Sequence, residues 1–367
     1  MRKHATTIGL AVISLASFAQ NSITYPPKPE LKSILSNLSY VPSKSFTSLS
    51  YTGSDSVSFY KPRIASSHGF YISRFEVSNK EYREFVIYAR DSMAHTLLKH
   101  FKKTPGLLDW SRRINWEDPL LEPMMLLPEE RIFGRREINT DKIVYKTDFS
   151  NQSEIINIYP DTLVWISDFA YSYNEPLAKN YFSKKTYDNF PVVGINLKQA
   201  MAFCQWKTEQ LNKLSNHSGS EYRVILRLPT NTEWESASAG EQDETNIFSP
   251  GRAYHINFGI IADRNGFIVK QYKDDGYFYT GPVNSYTAGA YGIYQMKGNV
   301  AEWTLTPCDE IMNLEVKPEK LKTSFTVKGG GWDSDPFYLQ TGACQFFSAN
   351  AAHSFIGFRY IVYAEKK

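Results

Sequence analysis

The residues with the most obvious chemical potential in this chain of 367 residues lie in Tyr291–Thr304, YGIYQMKGNVAEWT. Gly298 and Asn299 make a tight turn there: glycine takes up left-handed backbone without a steric penalty, and asparagine tolerates it while bonding its own backbone. Glu302 follows at once, so its carboxylate and the carbonyls of the turn would face one small volume, a setting for a hard cation. A plain structural turn carrying a core tryptophan, Trp303, is the alternative. Sulfur chemistry has few candidates, only Cys204, Cys308 and Cys344. An odd count leaves at least one thiol unpaired and is no disulfide framework. Cys204 shares a helix face with Ala200, Phe203 and Leu211 and is expected to be buried and inert. Cys308 and Cys344 could pair, a question that spacing leaves open. The seven histidines, among them His68, His217, His255 and His353, show no ligand spacing. HExxH, CxxC, Walker and GxSxG motifs are absent from the sequence. Gly329-Gly330-Gly331 lacks the helix start and the Lys-Ser/Thr of a phosphate cradle, and reads as a tight turn after a strand.

The elements that must position these residues carry their own signals. Phe70–Val77 alternates as a strand does. Ser78 with Glu81 forms a capping box, predicting a helix to about Arg90 with Tyr82, Phe85, Val86 and Ala89 facing inward. Asn196 with Gln199 caps a second helix, Leu197 to about Leu214, and Thr230 with Glu233 caps a third. Short strands and many Gly, Asn and Asp turns lie between them, and no repeat of solenoid period is visible. The fold class is therefore α+β with much irregular structure.

Composition narrows the possibilities. The chain is 42% hydrophobic and 15% aromatic, enough for a large core, and its formal charge is only +3, which excludes a strong field toward nucleic acid. Arg2, Lys3 and His4 precede an apolar run, Ile8–Ala16, and small residues at Ser17–Ala19, so residues 1–19 are expected to be a secretory signal peptide. That run is too short to span a bilayer. Residues 20–61, rich in Ser, Pro, Tyr and Thr, are expected to be an extended or partly disordered arm. One domain should then occupy 62–367. Within it, residues 91–165 carry mixed charge, the prolines Pro105, Pro119, Pro123 and Pro128, and exposed-looking Trp110 and Trp116, and read as a partner-binding insertion.

Together with FYISRFEVSNKEYREFV from Phe70, PVVGINLKQAMAFCQW from Pro191, RLPTNTEWESASAG from Arg227, VKGGGW from Val327 and GFRY from Gly357, the 291–304 stretch resembles the formylglycine-generating enzyme (sulfatase-modifying factor) family. That resemblance implies a C-type-lectin-related fold over residues 68–365. It also implies chemistry that can be checked position by position. The family's catalytic copper site uses two cysteines after the Gly-Gly turn; those positions fall at Ser334 and Leu339, and neither forms a thiolate. Copper is not expected. The family's two calcium sites would fall on Asn257, the carbonyl of Phe258, Asp275 and the carbonyl of Tyr277, and on Gln295, the carbonyls of Gly298 and Val300, and Glu302. All are oxygen donors, as calcium requires.

YPDTLVWISDFAYSYNEPLAKNYF from Tyr159 further resembles the gliding-motility and type IX secretion lipoproteins of the GldK/PorK type. This implies a non-catalytic periplasmic scaffold that joins a second periplasmic subunit in a ring beneath the outer membrane. Gln20 and Asn21 stand where those lipoproteins carry the acylated cysteine, so no direct lipid anchor is expected. A formylglycine-type or related iron-dependent oxidase and a calcium-dependent lectin-like module are the alternatives.

Overall fold

Phe70–Ser73 and Ile361–Lys366, from opposite ends of the chain, pair antiparallel and form the middle of a four-stranded sheet. Leu38–Val41 lies on one side and Tyr222–Arg227 on the other. This computed structural model describes residues 36–52, 59–104, 106–149, 152–169, 173–217, 222–239, 256–259, 261–262, 268–270, 272–289, 291–312 and 323–366. The expected signal peptide lies outside them, as do His217's side chain and His255.

The sheet buries Val41, Phe70, Ile72 and Ile361 against Trp234, Ala237, Ile293 and Met296. Each such side chain removed from water contributes about 2 kcal/mol, which is why the alternating pattern is honoured at these positions. Phe70–Ser73 is shorter than the alternation of Phe70–Val77 predicts, because the chain leaves the sheet after Ser73 and Glu76 turns inward, 2% exposed. The outer edge of Tyr222–Arg227 is closed by side chains of the helix Leu197–His217. Asn212 bonds both Val224 N (2.8 Å) and Val224 O (2.7 Å), and Thr208 Oγ1 accepts from Leu226 N at 2.9 Å. Backbone groups that could template another strand are thereby satisfied.

That helix begins as its sequence requires: Gln199 N donates to Asn196 Oδ1 (3.0 Å) and Asn196 N to Gln199 Oε1 (2.8 Å). The helix Asn231–Ser238 starts on the capping box of Thr230 and Glu233. These two of the three expected caps are present, and Cys204 is buried where its helix face predicts. A second four-stranded sheet has the order Gln345–Ser348, Ser324–Lys328, Ala301–Pro307, Ile356–Gly357, the last pair parallel. It presents Glu302 and the Gly329 turn to the interior.

Contacts divide the chain into two compact units: Lys80–Pro160, and the remainder. The smaller unit opens with the helix Asn79–Leu97 and takes in most of the insertion expected at 91–165. That helix runs past Arg90 because Met93, Ala94 and Leu97 prolong its apolar face onto Leu121, Met124 and Met125. Tyr82 donates to Ile158 O (3.0 Å), and Phe85 meets Tyr145 edge-on in the hairpin Val144–Phe149/Gln152–Asn157. Trp110 is 46% exposed, whereas Trp116, expected outside, is half-buried beneath Arg90. The arm expected over 20–61 is also corrected where described: Leu38–Val41 joins the central sheet, and Lys44–Thr52 pairs with Phe59–Ser67. Alternation there is weak in sequence, and backbone pairing supplies what the side chains do not. Among the described residues, no helix is long and apolar enough to cross a membrane.

Candidate functional site

Gly298 and Asn299 both hold positive φ (76° and 63°), as the turn predicts. A Cβ on Gly298 would stand 2.1 Å from the Asn257 carbonyl oxygen, so only glycine fits. Three backbone hydrogen bonds stitch distant segments to this turn. Gly298 N donates to Gly329 O, Asn299 N to Asn257 O, and Trp332 N to Asn299 O, each at 2.8 Å. The Asn299 side chain accepts from Gly281 N (2.7 Å) and donates to Glu76 Oε2 (2.7 Å). Glu76 Oε1 accepts from Val300 N at 3.2 Å.

Glu302 does not face the turn. Arg359 Nε donates to both of its oxygens, at 2.8 and 2.6 Å, and Trp234 Nε1 donates to Oε2 at 2.7 Å. Arg359 also reaches Ser73 O (3.1 Å) and Tyr294 O (2.8 Å) and is wholly buried. Two buried carboxylates need a positive charge close by, and this guanidinium, planar and always protonated, supplies it. Burial first, and then the neighbouring Glu302 charge, push the Glu76 carboxyl well above the usual carboxylate range, with Arg359, Asn299 and Val300 N–H opposing.

The positions expected to bind calcium therefore separate. In the first set, Asp275 Oδ2 accepts from Phe258 N (3.1 Å) and Oδ1 from Tyr277 N (3.3 Å), while Asn257 Nδ2 donates to Tyr279 O (2.7 Å). These four residues are brought together, and their amide, main-chain and carboxylate oxygens suit a hard cation. In the second set, Gln295 Nε2 donates to Pro282 O (2.6 Å) and Gln295 Oε1 is a buried acceptor without a partner. The carboxylate of that set is already matched to Arg359, whose Nη2 also lies 3.4 Å from the Gln295 carbonyl oxygen. The first set fits the ion; the second, with Glu302 so placed, does not. Among the described residues no group of three His, Cys, Asp or Glu could hold a metal.

The two positions of the expected thiol pair do meet. A Cβ on Gly330 would lie 3.2 Å from Ser334 Cβ and 3.1 Å from Leu339 Cδ2, so both side chains flank one point. The Ser334 hydroxyl accepts from Gly331 N at 2.8 Å, and Leu339 is fully buried against Phe258. All three cysteines are buried and none is in a disulfide, so Cys308 and Cys344 are not bridged to each other. Gly329 and Gly330, with φ of 90° and 66°, form the tight turn after the strand Ser324–Lys328.

Beside this locus lies a cluster that spacing alone could not reveal. His353 Nδ1 is 2.9 Å from Asp168 Oδ1, and Asp168 Oδ2 accepts from Ser354 N (2.6 Å) and Ser354 Oγ (2.9 Å). The His353 ring stacks on Phe355. Burial raises the Asp168 carboxyl, but the hydrogen bonds from His353 and Ser354 outweigh it and hold the group below its ordinary value. Burial, reinforced by the Asp168 charge, pushes Asp333 up to about 6. Asp168 lies 185 residues from His353 and 186 from Ser354, and no periodic pattern signals so distant a pairing.

A profile of the sulfatase-modifying factor enzyme 1-like domain matches residues 51–364. The chain belongs to that family. Among curated relatives, the formylglycine-generating enzyme of Thermomonospora curvata is 27% identical over 192 residues, covering 47% of this chain and 55% of its own. The formylglycine-generating enzyme of Mus musculus is 30% identical over 121 residues (32% and 27%), and the inactive C-alpha-formylglycine-generating enzyme 2 of Bos taurus 29% over 116 (31% and 32%). The chain thus spans about half, or less, of the length of these relatives. The solved structure of PvdO from Pseudomonas aeruginosa covers 89% of this chain and 94% of its own at 18% identity, with a TM-score of 0.44. The sulfatase-modifying factor fold, with helices and sheets mixed, is the α+β class that the sequence predicts.

Proposed function

We propose that this family member is a non-catalytic extracytoplasmic scaffold subunit of the GldK/PorK type, working through protein partners in motility or secretion. The observation that carries the reading is the pair Ser334 and Leu339 around Gly330: a hydroxyl and an isobutyl group stand where the family's chemistry needs two thiolates. A soft copper(I) ion has no ligand there. Exposed apolar surface supports the partner role. Among the described residues, nine of the fourteen exposed large hydrophobic side chains lie in Lys80–Pro160, including Leu107, Ile132 and the 95% exposed Phe133. Single exposed apolar residues need no explanation, but their concentration in the smaller of the two units marks a surface meant to be covered.

In this reading the amino-terminal apolar run is a signal peptide, and attachment to a membrane comes through a partner. Calcium occupies the set Asn257, Phe258, Asp275 and Tyr277, where it fastens irregular loops rather than performing chemistry.

Affinity capture of the full chain from its native cell envelope tests the proposal. A stable complex of high mass containing a second periplasmic subunit is the expected outcome; a lone monomer overturns it. Incubation with a cysteine-containing sulfatase peptide should leave the thiol intact by mass spectrometry. Turnover there would instead establish the oxidase reading that the names of two relatives suggest.

A further inference from the structure

Two histidines that show no ligand spacing in sequence face one another inside the Lys80–Pro160 unit. His95 lies in the last turn of the helix Asn79–Leu97, and His100 lies just beyond its end. Lys99, at φ 53°, reverses the chain, and His100 N donates back to His95 O at 2.9 Å. The two Nδ1 atoms are then 3.0 Å apart, with the residues 3% and 7% exposed. A hydrogen bond between two imidazole nitrogens needs one proton: one ring donates and the other accepts. With no proton the two lone pairs oppose each other. With two, a pair of N–H groups face across a gap sized for one hydrogen, and once both rings are doubly protonated this arrangement is forced and two positive charges oppose each other as well.

The pair also closes a loop. The His100 carbonyl accepts from Asp109 N (2.8 Å), and Phe101 bridges Leu108, so residues 101 and 108 pair antiparallel beside the histidines. Trp110 follows. Its ring meets His95 at 5.1 Å (64°) and stacks on Tyr88 at 5.1 Å (18°). The stretch 98–110 is thus fastened to the end of the long helix through the histidines and Trp110.

We propose that His95 and His100 form a proton-operated clasp: one shared proton holds residues 98–110 against the helix end, and charging both rings releases them. The groups acting on His100 are mixed. Arg112 and His95 oppose its protonation, while Asp109, itself near Lys102, and Asp118 favour it. Burial is the largest influence and acts with the first pair, so His100 sits below the ordinary imidazole value. The sign follows from that direction. A histidine held neutral by the fold contributes stability that is fully present above its unfolded value and is lost as pH falls below it. Acidification below the ordinary imidazole value of about 6.5 therefore opens the clasp. This does not depend on the scaffold reading, since it concerns one unit's own response to protons.

Hydrogen exchange of the full-length protein at about pH 7 and about pH 5, corrected for intrinsic rates, reads the clasp directly. Amides of 98–110 should exchange about tenfold faster at the lower pH, with those in the middle of the helix unchanged. Equal protection at the two values overturns the proposal. His100→Gln should abolish the difference, because an amide cannot take a second proton. A His100→Gln variant that keeps the wild-type pH response also overturns it. Should that variant fail to fold, the wild-type comparison still decides, and His95→Gln provides the second test on the same amides.

Discussion

The molecule uses the same arginine–glutamate pairing in two opposite ways. In the larger unit, Arg359 and Glu302 meet at 2.6 Å with side chains 0% and 1% exposed, beside a second buried carboxylate, Glu76. In Lys80–Pro160, Arg131 and Arg136 both reach Glu122, whose side chain is 49% exposed. The guanidinium of Arg136 additionally donates to Trp116 O (2.7 Å) and Asp118 O (2.8 Å). The first arrangement fixes an interior from which no charge can be removed cheaply; the second braces loops while leaving apolar side chains outside. A charge cluster of the first kind resists change, whereas a surface of the second kind is free to vary with a partner.

The most severe test of that contrast is Arg359→Ala. It leaves Glu76 and Glu302 buried without a cation, and should lower unfolding free energy by about 4 kcal/mol in a urea titration. A loss as small as that of a surface pair would break the comparison. Asp333→Asn should act more gently and with a pH signature. Its folded value, about 6, stands above the ordinary 3.8, so its contribution is fully present below the unfolded value and lost as pH rises through the folded one. Allowing for solvent screening, the variant should exceed wild type by about 2 kcal/mol at pH near 7 and match it at pH near 4. Thermal unfolding at both values measures the difference.

Calcium removal comes next. If the Asn257–Tyr277 set holds the ion, chelation should cost about 1 kcal/mol, seen as a fall in Tm of the larger unit that added calcium reverses. An unchanged Tm removes the ion from the account. Smallest in stability is Ile132→Ser with Phe133→Ser, expected within about 0.5 kcal/mol of wild type by denaturant titration because both side chains are exposed. The same double variant should lose partner capture, which separates a binding surface from a packed one. Retained capture would place the partner elsewhere.

Legibility in the sequence followed distance along the chain. The caps at Asn196 and Thr230, the Gly298-Asn299 turn, the glycine turn at 329–330 and the inward face of Tyr82, Phe85, Val86 and Ala89 are all local, set by a few neighbouring residues. Each could be read because a capping side chain, a positive φ or an apolar stripe leaves its mark within one or two turns. The boundary at Arg90 was misread because the partners of Met93, Ala94 and Leu97 lie some thirty residues on, at Leu121–Met125.

The sequence by itself determined the helix starts, the tight turns, the buried Cys204, and the absence of thiols at Ser334 and Leu339. Tertiary structure alone decided that Glu302 would face Arg359, 57 residues away, instead of the turn beside it. It also brought Asp168 to His353 and drew Leu38–Val41 into the central sheet. The physical reason is that a buried charge goes to whichever opposite charge or donor the fold carries to it, and that choice has no counterpart in local spacing.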